Sequence, residues 1–313
     1  QNYIEAKDDM LNMRSFTNLY LGKPFKETGA RPKVKKIIEN RGTYQAGETP
    51  NEVLWITAGA DVQRGRKFYE RYSDNDIEKE YFRLLDDKKD PWKAGLPRIE
   101  MLVLGHGHGY RTYAIEYKIF YGSTLNTFGG AWAKMRAWME ETKLTYRRLD
   151  GSKIPCQMVF IDSGDGERTS TVYSFCEPYP GVIPIKGDQW DAQRKKEKGD
   201  ELKQSFFKKY VISKINQTEK LVTIATNHYK QLIYTRLKIR RVMADEQNPG
   251  FMEFPLNFPD YFFKMLTSEE RLQDGSFHAG ERKNESLDCF DKETQVLTTK
   301  GWKYFKDLNL NHK

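Results

Sequence analysis

Long apolar runs are missing from these 313 residues. No stretch approaches the roughly 20 apolar residues that a membrane-spanning helix needs, and no secretory leader opens the chain. The sequence is therefore read as soluble and intracellular, with no membrane partner. Cysteine is scarce: Cys156, Cys176 and Cys289 are widely spaced and form no Cys-x-x-Cys pair. That argues against a disulfide framework or a structural zinc site. No Gly-x-x-x-x-Gly-Lys-[Ser/Thr] loop is present to cradle nucleotide phosphates. No Ser/His/Asp order, internal repeat or low-complexity tract stands out either. An initiator Met is also lacking: the chain opens on Gln1 and stops at Lys313 just after a strand-like segment, as expected of a piece of something longer.

What is present is charge and apolar bulk. Lys and Arg number 52 against 44 Asp and Glu, a net charge of +8. The excess points to a polyanionic partner. A hydrophobic content of 38%, with 13% aromatic, is enough for a core and excludes a wholly disordered chain. The length suits two domains or one large α/β domain.

Residues 1 to 21 read as a helix ended by Gly22 and Pro24, followed by a basic connector to about Pro50. Val53-Leu54-Trp55-Ile56, continuing to Ala60 and stopped at Asp61, has the unalternating apolar character of a strand buried on both faces. Residues 64 to 98 are densely charged and read as a solvated helical excursion. Ile99 to Leu104 and Tyr110 to Phe120 read as two strands joined by Gly105-His106-Gly107-His108-Gly109. Trp132, Met135 and Met139 share a helical face. Met158 to Ile161, a helix over 169 to 177 and Val182 to Ile185 make a β-α-β unit. Weaker strands over 203 to 225, a helix over 226 to 237 and an irregular apolar stretch over 249 to 259 follow.

Asp61 and Asp162 each directly follow a buried strand, at the sheet edge where open α/β sheets bind ligands. Asp162-Ser163-Gly164-Asp165-Gly166 is small enough for a polymeric substrate to approach the backbone, with Asp165 and Glu167 read as loop residues. Glu285 and Asp288 are three apart, which on a helix puts both on one face. Several converging carboxylates would repel one another unless they held Mg²⁺ or Mn²⁺, and a pair of such ions hydrolyses phosphodiesters. The plainer alternative stays open: an Asp after a strand is commonly a turn or cap, and a Glu/Asp pair on a helix a solvated face.

Four stretches, in order, are Thr57-Ala58-Gly59-Ala60-Asp61-Val62-Gln63, Ile161-Asp162-Ser163-Gly164, Val182-Ile183-Pro184-Ile185-Lys186-Gly187 and Arg282-Lys283-Asn284-Glu285-Ser286-Leu287-Asp288. With Phe16 to Pro24 and Phe258-Pro259-Asp260, this series resembles the nuclease region of phage terminase large subunits of the GpA (lambda-like) type. The resemblance implies an RNase H-like fold, a mixed sheet flanked by helices, that cuts concatemeric viral double-stranded DNA with two divalent ions, Mg²⁺ or Mn²⁺. It implies catalytic metal ligands at Asp61, Asp162, and Glu285 or Asp288, and DNA contacts at Lys186, Arg282 and Lys283. It further implies a small terminase subunit and a portal protein as partners, the host cytoplasm as location, and ATP bound only by a motor upstream of Gln1. Residues 1–48 would be the linker from that motor and 49–288 the nuclease domain, with the excursion at 64 to 98 an insertion.

Residues 289–313 interrupt this pattern. Cys289 followed by Thr294-Gln295-Val296-Leu297-Thr298 and a turn at Gly301 is similar to the β-rich start of an intein. In such an element the Cys289 thiolate attacks the preceding carbonyl of Asp288. The downstream histidine block and terminal His-Asn of an intein are not in these residues, and His312 does not supply them.

His106 and His108 could bind a metal, though a hairpin tip accounts for them more simply; His228 and His278 belong to no motif of the sequence. The basic stretches Arg194 to Lys198, Lys208-Lys209 and Arg236 to Arg241 are solvated faces or non-specific phosphate contacts. The competing readings are a DNA-binding module without chemistry of its own and an RNase H-like resolvase or transposase.

Overall fold

The computed structural model describes residues 32–89, 91, 93–188, 210–214, 220–241, 248–271, 277–279, 295–298 and 301–304. In chain order the elements are α1 (Val34–Ile38), β1 (Glu48–Thr49), β2 (Trp55–Gln63), α2 (Asp74–Asp86), β3 (Arg98–His106), β4 (Thr112–Tyr121), α3 (Gly130–Thr142), β5 (Thr145–Arg148), β6 (Lys153–Asp162), α4 (Thr169–Cys176) and β7 (Val182–Asp188). They continue with β8 (Tyr210–Lys214), β9 (Lys220–Ala225), α5 (Thr226–Arg236), β10 (Met252–Glu253), α6 (Asp260–Leu266), β11 (Glu269–Arg271), β12 (Phe277–Ala279), β13 (Gln295–Thr298) and β14 (Gly301–Tyr304).

The main sheet has the order β10-β4-β3-β2-β6-β7-β9-β8. The β2–β3–β4 meander is antiparallel. The chain then crosses through α3 to bring β6 back parallel beside β2, and through α4 to place β7 parallel beside β6. This mixed α/β architecture agrees with the RNase H-like expectation.

One sheet face is sealed by α3 and α4. Ile56, Ala58, Ala60 and Val62 of β2 alternate into the core with Ile99, Met101 and Val103 of β3 and Val159 and Ile161 of β6. Trp132 is fully buried there, its ring 4.6 Å from Phe175 and its indole N–H donating to the Thr124 carbonyl at 3.1 Å. The opposite face is covered over β3 and β4, where Leu102, Leu104 and Tyr117 meet Tyr234 and Leu237 and the phenylalanines 254, 258, 262 and 263. Ile37 joins this second core, and the Tyr44 hydroxyl donates to the Ala114 carbonyl at 2.8 Å. The described part of the stretch expected as linker is thus packed against the sheet.

Four expectations are refined. The strand reaching Asp61 runs on to Gln63, because β3 continues pairing as far as Arg98. His106 lies inside β3 opposite Trp55, so the hairpin connection is shorter than the glycine-histidine run and turns at Gly109 with φ 63°. The charged excursion is not wholly solvated: Ser73 and Asp76 cap α2 reciprocally, and Tyr69, Ile77, Leu84 and Leu96 form a small core. The irregular apolar stretch supplies β10 at the sheet edge. The helix over 1 to 21 and the basic runs at 194 to 198 and 208 to 209 lie outside the described residues. β13 and β14 pair antiparallel, as the strand-turn-strand pattern predicts, but Gly301 opens β14 opposite Thr298 and is not the turn itself.

Candidate active site

Ala60 of β2 is in register with Ile161 of β6, and both are buried. The residue after each is an aspartate, so strand alternation turns Asp61 and Asp162 together onto the opposite face. Neighbouring strands run about 4.8 Å apart, which makes the two carboxylates close neighbours. Across the other edge of β2, Asp61 pairs directly with Glu100 of β3. Three acids therefore stand in a row over β3, β2 and β6.

Each has its own partners. The Gln63 amide N–H donates to Asp61 Oδ2. The Gly164 backbone N–H donates to Asp162 Oδ1 at 3.0 Å. Glu100 accepts from Arg98 Nε at 2.6 Å and from the Tyr117 hydroxyl at 2.5 Å. Asp61 is open to solvent on one side but crowded by protein on the others. Burial is the main cause that lifts its pKa above the ordinary carboxylate value, and the negative charges of Asp162 and Glu100 add to it, while Gln63 and Arg98 oppose the rise.

The loop after Asp162 is tied down locally. The Ser163 hydroxyl donates to the Ile185 carbonyl, and the Thr169 hydroxyl donates to the Ser163 and Asp165 carbonyls. Asp165 and Glu167 behave as loop residues: Asp165 accepts from the Glu167 N–H, and Arg64 pairs with Glu167 at 2.8 Å. A Cβ at Gly164 would lie 3.2 Å from Asp162 Oδ1, so a side chain there would crowd the carboxylate.

Lys186 is exposed on β7, where it alternates with Ile185, the register partner of Asp162. It therefore falls on the side of Val182 and Pro184, away from the acids. His106 accepts or donates one hydrogen bond with the Thr57 hydroxyl at 2.8 Å and lies against Trp55, at the far end of β2 from Asp61. Arg282, Lys283, Glu285, Asp288 and Cys289 lie outside the described residues. Among the described residues, no three His, Cys, Asp or Glu side chains gather as a metal cluster. The oxygen-only character of Asp61 and Asp162, and their mutual repulsion, fit a hard divalent ion that takes its remaining ligands elsewhere.

Sequence reading missed Glu100. Its signal is an acid within the apolar run Ile99 to Leu104, but only the β2–β3 register reveals that it faces Asp61.

A family described as the terminase large subunit gpA endonuclease domain matches residues 1–74 and 86–306. The chain belongs to this terminase family. The large terminase subunit of Escherichia phage lambda is 27% identical over 308 residues, which cover 93% of this chain and 39% of that protein. The chain thus spans about two fifths of this relative's length. No solved structure matches. Residues 75 to 85, between the two matched stretches, fall within α2 of the charged excursion, as an insertion into the terminase pattern would.

Proposed function

We propose that this chain is the divalent-metal-dependent endonuclease of a DNA-packaging terminase, hydrolysing phosphodiesters of concatemeric double-stranded viral DNA. The observation that carries this reading is the side-by-side placement of Asp61 and Asp162 on adjacent parallel strands, in a chain of the terminase endonuclease family. Asp61, Asp162, and Glu285 or Asp288 would hold two Mg²⁺ or Mn²⁺ ions, which when bound supply an activated water and charge stabilisation for the leaving 3′ oxygen. The chain's own residues set the stage. Gln63 fixes the Asp61 carboxyl, and the Gly164 N–H fixes that of Asp162. The small loop Ser163 to Gly166 leaves room for a duplex backbone.

Arg282 and Lys283 are proposed as contacts to the reacting strand. Lys186, on the other side of β7, suits a flanking phosphate. ATP hydrolysis, the small subunit and the portal belong to the proposed whole packaging machine. A non-catalytic DNA-binding remnant, a resolvase and a transposase are disfavoured by the family match.

The test is cleavage of supercoiled plasmid by the purified chain across an Mn²⁺ titration. Asp61→Ala and Asp162→Ala are expected to abolish cleavage while keeping the circular dichroism spectrum. Unchanged cleavage in either variant refutes the site.

The β13–β14 hairpin, with Gln295 opposite Tyr304 and Thr298 opposite Gly301, supports a second reading of the C-terminal segment as the start of an intein. Against it, the family match continues through Cys289 to residue 306. In the intein reading the Cys289 thiolate attacks the Asp288 carbonyl carbon; a C–S bond forms, the Asp288–Cys289 C–N bond breaks, and the freed amine takes the proton. Hydroxylamine would then release a fragment ending at Asp288 from the unmodified chain but not from Cys289→Ala. Equal behaviour of the two chains removes the intein reading.

A further inference from the structure

Glu100 stands directly opposite Asp61 in the β2–β3 ladder, yet hydrolysis as proposed gives it no task. Like charges directly opposite each other on neighbouring strands destabilise a sheet. The chain nonetheless builds Glu100 in with care. Arg98 Nε donates to Oε1 at 2.6 Å and the Tyr117 hydroxyl to Oε2 at 2.5 Å, while Arg98 Nη1 donates to the Leu96 carbonyl at 3.2 Å. Both carboxylate oxygens are engaged, and among the described residues no three His, Cys, Asp or Glu side chains are placed to hold one metal ion together. Glu100 is therefore placed to act by its charge rather than as a ligand. That charge reaches Asp61, where it adds to the repulsion from Asp162.

We propose that Glu100 is a positioning residue of the carboxylate centre: clamped by Arg98 and Tyr117, it adds a third negative charge beside Asp61 and Asp162 that strengthens divalent-cation binding without ligating the ion. The inference rests on the nuclease reading above. A row of acids on three adjacent strands is costly alone and is relieved by a cation, so the fold trades stability in the metal-free state for affinity in the loaded one. Tyr117 also packs in the second core beside Phe262, with ring centroids 5.1 Å apart, which anchors the clamp to the sheet's covered half.

The test uses the full chain without DNA and follows its thermal stability across an Mn²⁺ titration. Glu100→Gln, which removes the charge and keeps the shape, is expected to raise the half-saturating Mn²⁺ concentration about tenfold. Tyr117→Phe, which keeps the charge and loses one donor, is expected to leave it within about twofold. Should Glu100→Gln not fold, Glu100→Asp carries the test: withdrawing the charge by one methylene is expected to raise the midpoint about threefold. If Glu100→Gln lowers the melting temperature in EDTA but leaves the Mn²⁺ midpoint unmoved, Glu100 merely pairs with Arg98 and the inference falls. The same conclusion follows if Glu100→Gln and Tyr117→Phe shift the midpoint alike, or if Glu100→Asp leaves it unmoved. A wild-type chain whose stability ignores Mn²⁺ and which cuts no DNA overturns the nuclease reading itself.

Discussion

Asp61 faces Glu100 across one edge of β2 and neighbours Asp162 across the other. Its raised proton affinity, caused first by burial and then by these acids, has a thermodynamic consequence. A carboxyl that binds its proton more tightly in the folded chain makes the fold less stable as pH rises from its unfolded pKa, about 3.9, through its higher folded value. In EDTA the chain should therefore lose stability over that window. Asp61→Asn should flatten the loss and melt at a higher temperature than the original near neutral pH. Differential scanning fluorimetry from pH 4 to 8 checks this; an equal pH slope in both proteins would count against the raised value.

The charged excursion is expected to be part of the fold. Arg168, almost fully buried before α4, donates to Glu70 at 3.2 Å and to the Thr124 hydroxyl at 3.3 Å. Arg168 is buried while Glu70 is partly exposed, so removing the arginine loses charge-assisted hydrogen bonds and packing at a cost of about 1.5 to 3 kcal/mol. Arg168→Ala should lower stability by that order and speed proteolysis within residues 64 to 98. Denaturant melts and timed trypsin digestion would show it, and an unchanged digestion pattern would mean the excursion is held by its own small core.

Trp132→Ala separates loss of fold from loss of chemistry. The side chain is fully buried between α3, α4 and the sheet, so its removal is expected to cost about 3 to 5 kcal/mol. Cleavage should fail together with the cooperative melt, whereas Asp162→Asn should lose cleavage and keep the melt. Parallel chemical denaturation and plasmid assays distinguish the two; a stable Trp132→Ala protein would contradict this packing of the indole against α4 and the sheet.

Much of the sheet was legible because its strands are apolar runs with hard stops. Met158 to Ile161 ends in Asp162, and Val182 to Ile185 lies one short helix later, so a β-α-β unit follows from spacing alone. Other features depend on pairing between distant residues. That β2 runs past Asp61 to Gln63 reflects its partners Glu100 and Arg98, some 40 residues away, and not its own composition. The same distance hid Glu100 as a neighbour of Asp61. The buried side of α2 was masked by the density of charge around Ile77 and Leu84, which alone of that helix reach the core as fully buried residues. The motif of Lys186 follows the strand of Asp162 and suggests a phosphate contact, but strand parity decides its side, and parity is read against the register of Ile185 with Asp162.

Gly164 offers a finer test of how closely the Asp162 carboxylate must be held. Its N–H donates to Asp162 Oδ1, and an added Cβ would sit 3.2 Å from that same oxygen, close enough that the carboxylate must move by a few tenths of an ångström. The backbone hydrogen bond survives a Gly164→Ala change, so the fold should be unaffected, with a stability change within about 0.5 kcal/mol. The carboxylate's direction changes, and small misplacements at a reacting centre cost rate steeply; a loss of about tenfold in metal-dependent cleavage is expected. Cleavage measured at saturating Mn²⁺, beside a melt in EDTA, reads the two effects separately. A Gly164→Ala protein as active as the original would show that Asp162 tolerates this displacement and that the tight Asp162–Gly164 turn serves the loop rather than the chemistry.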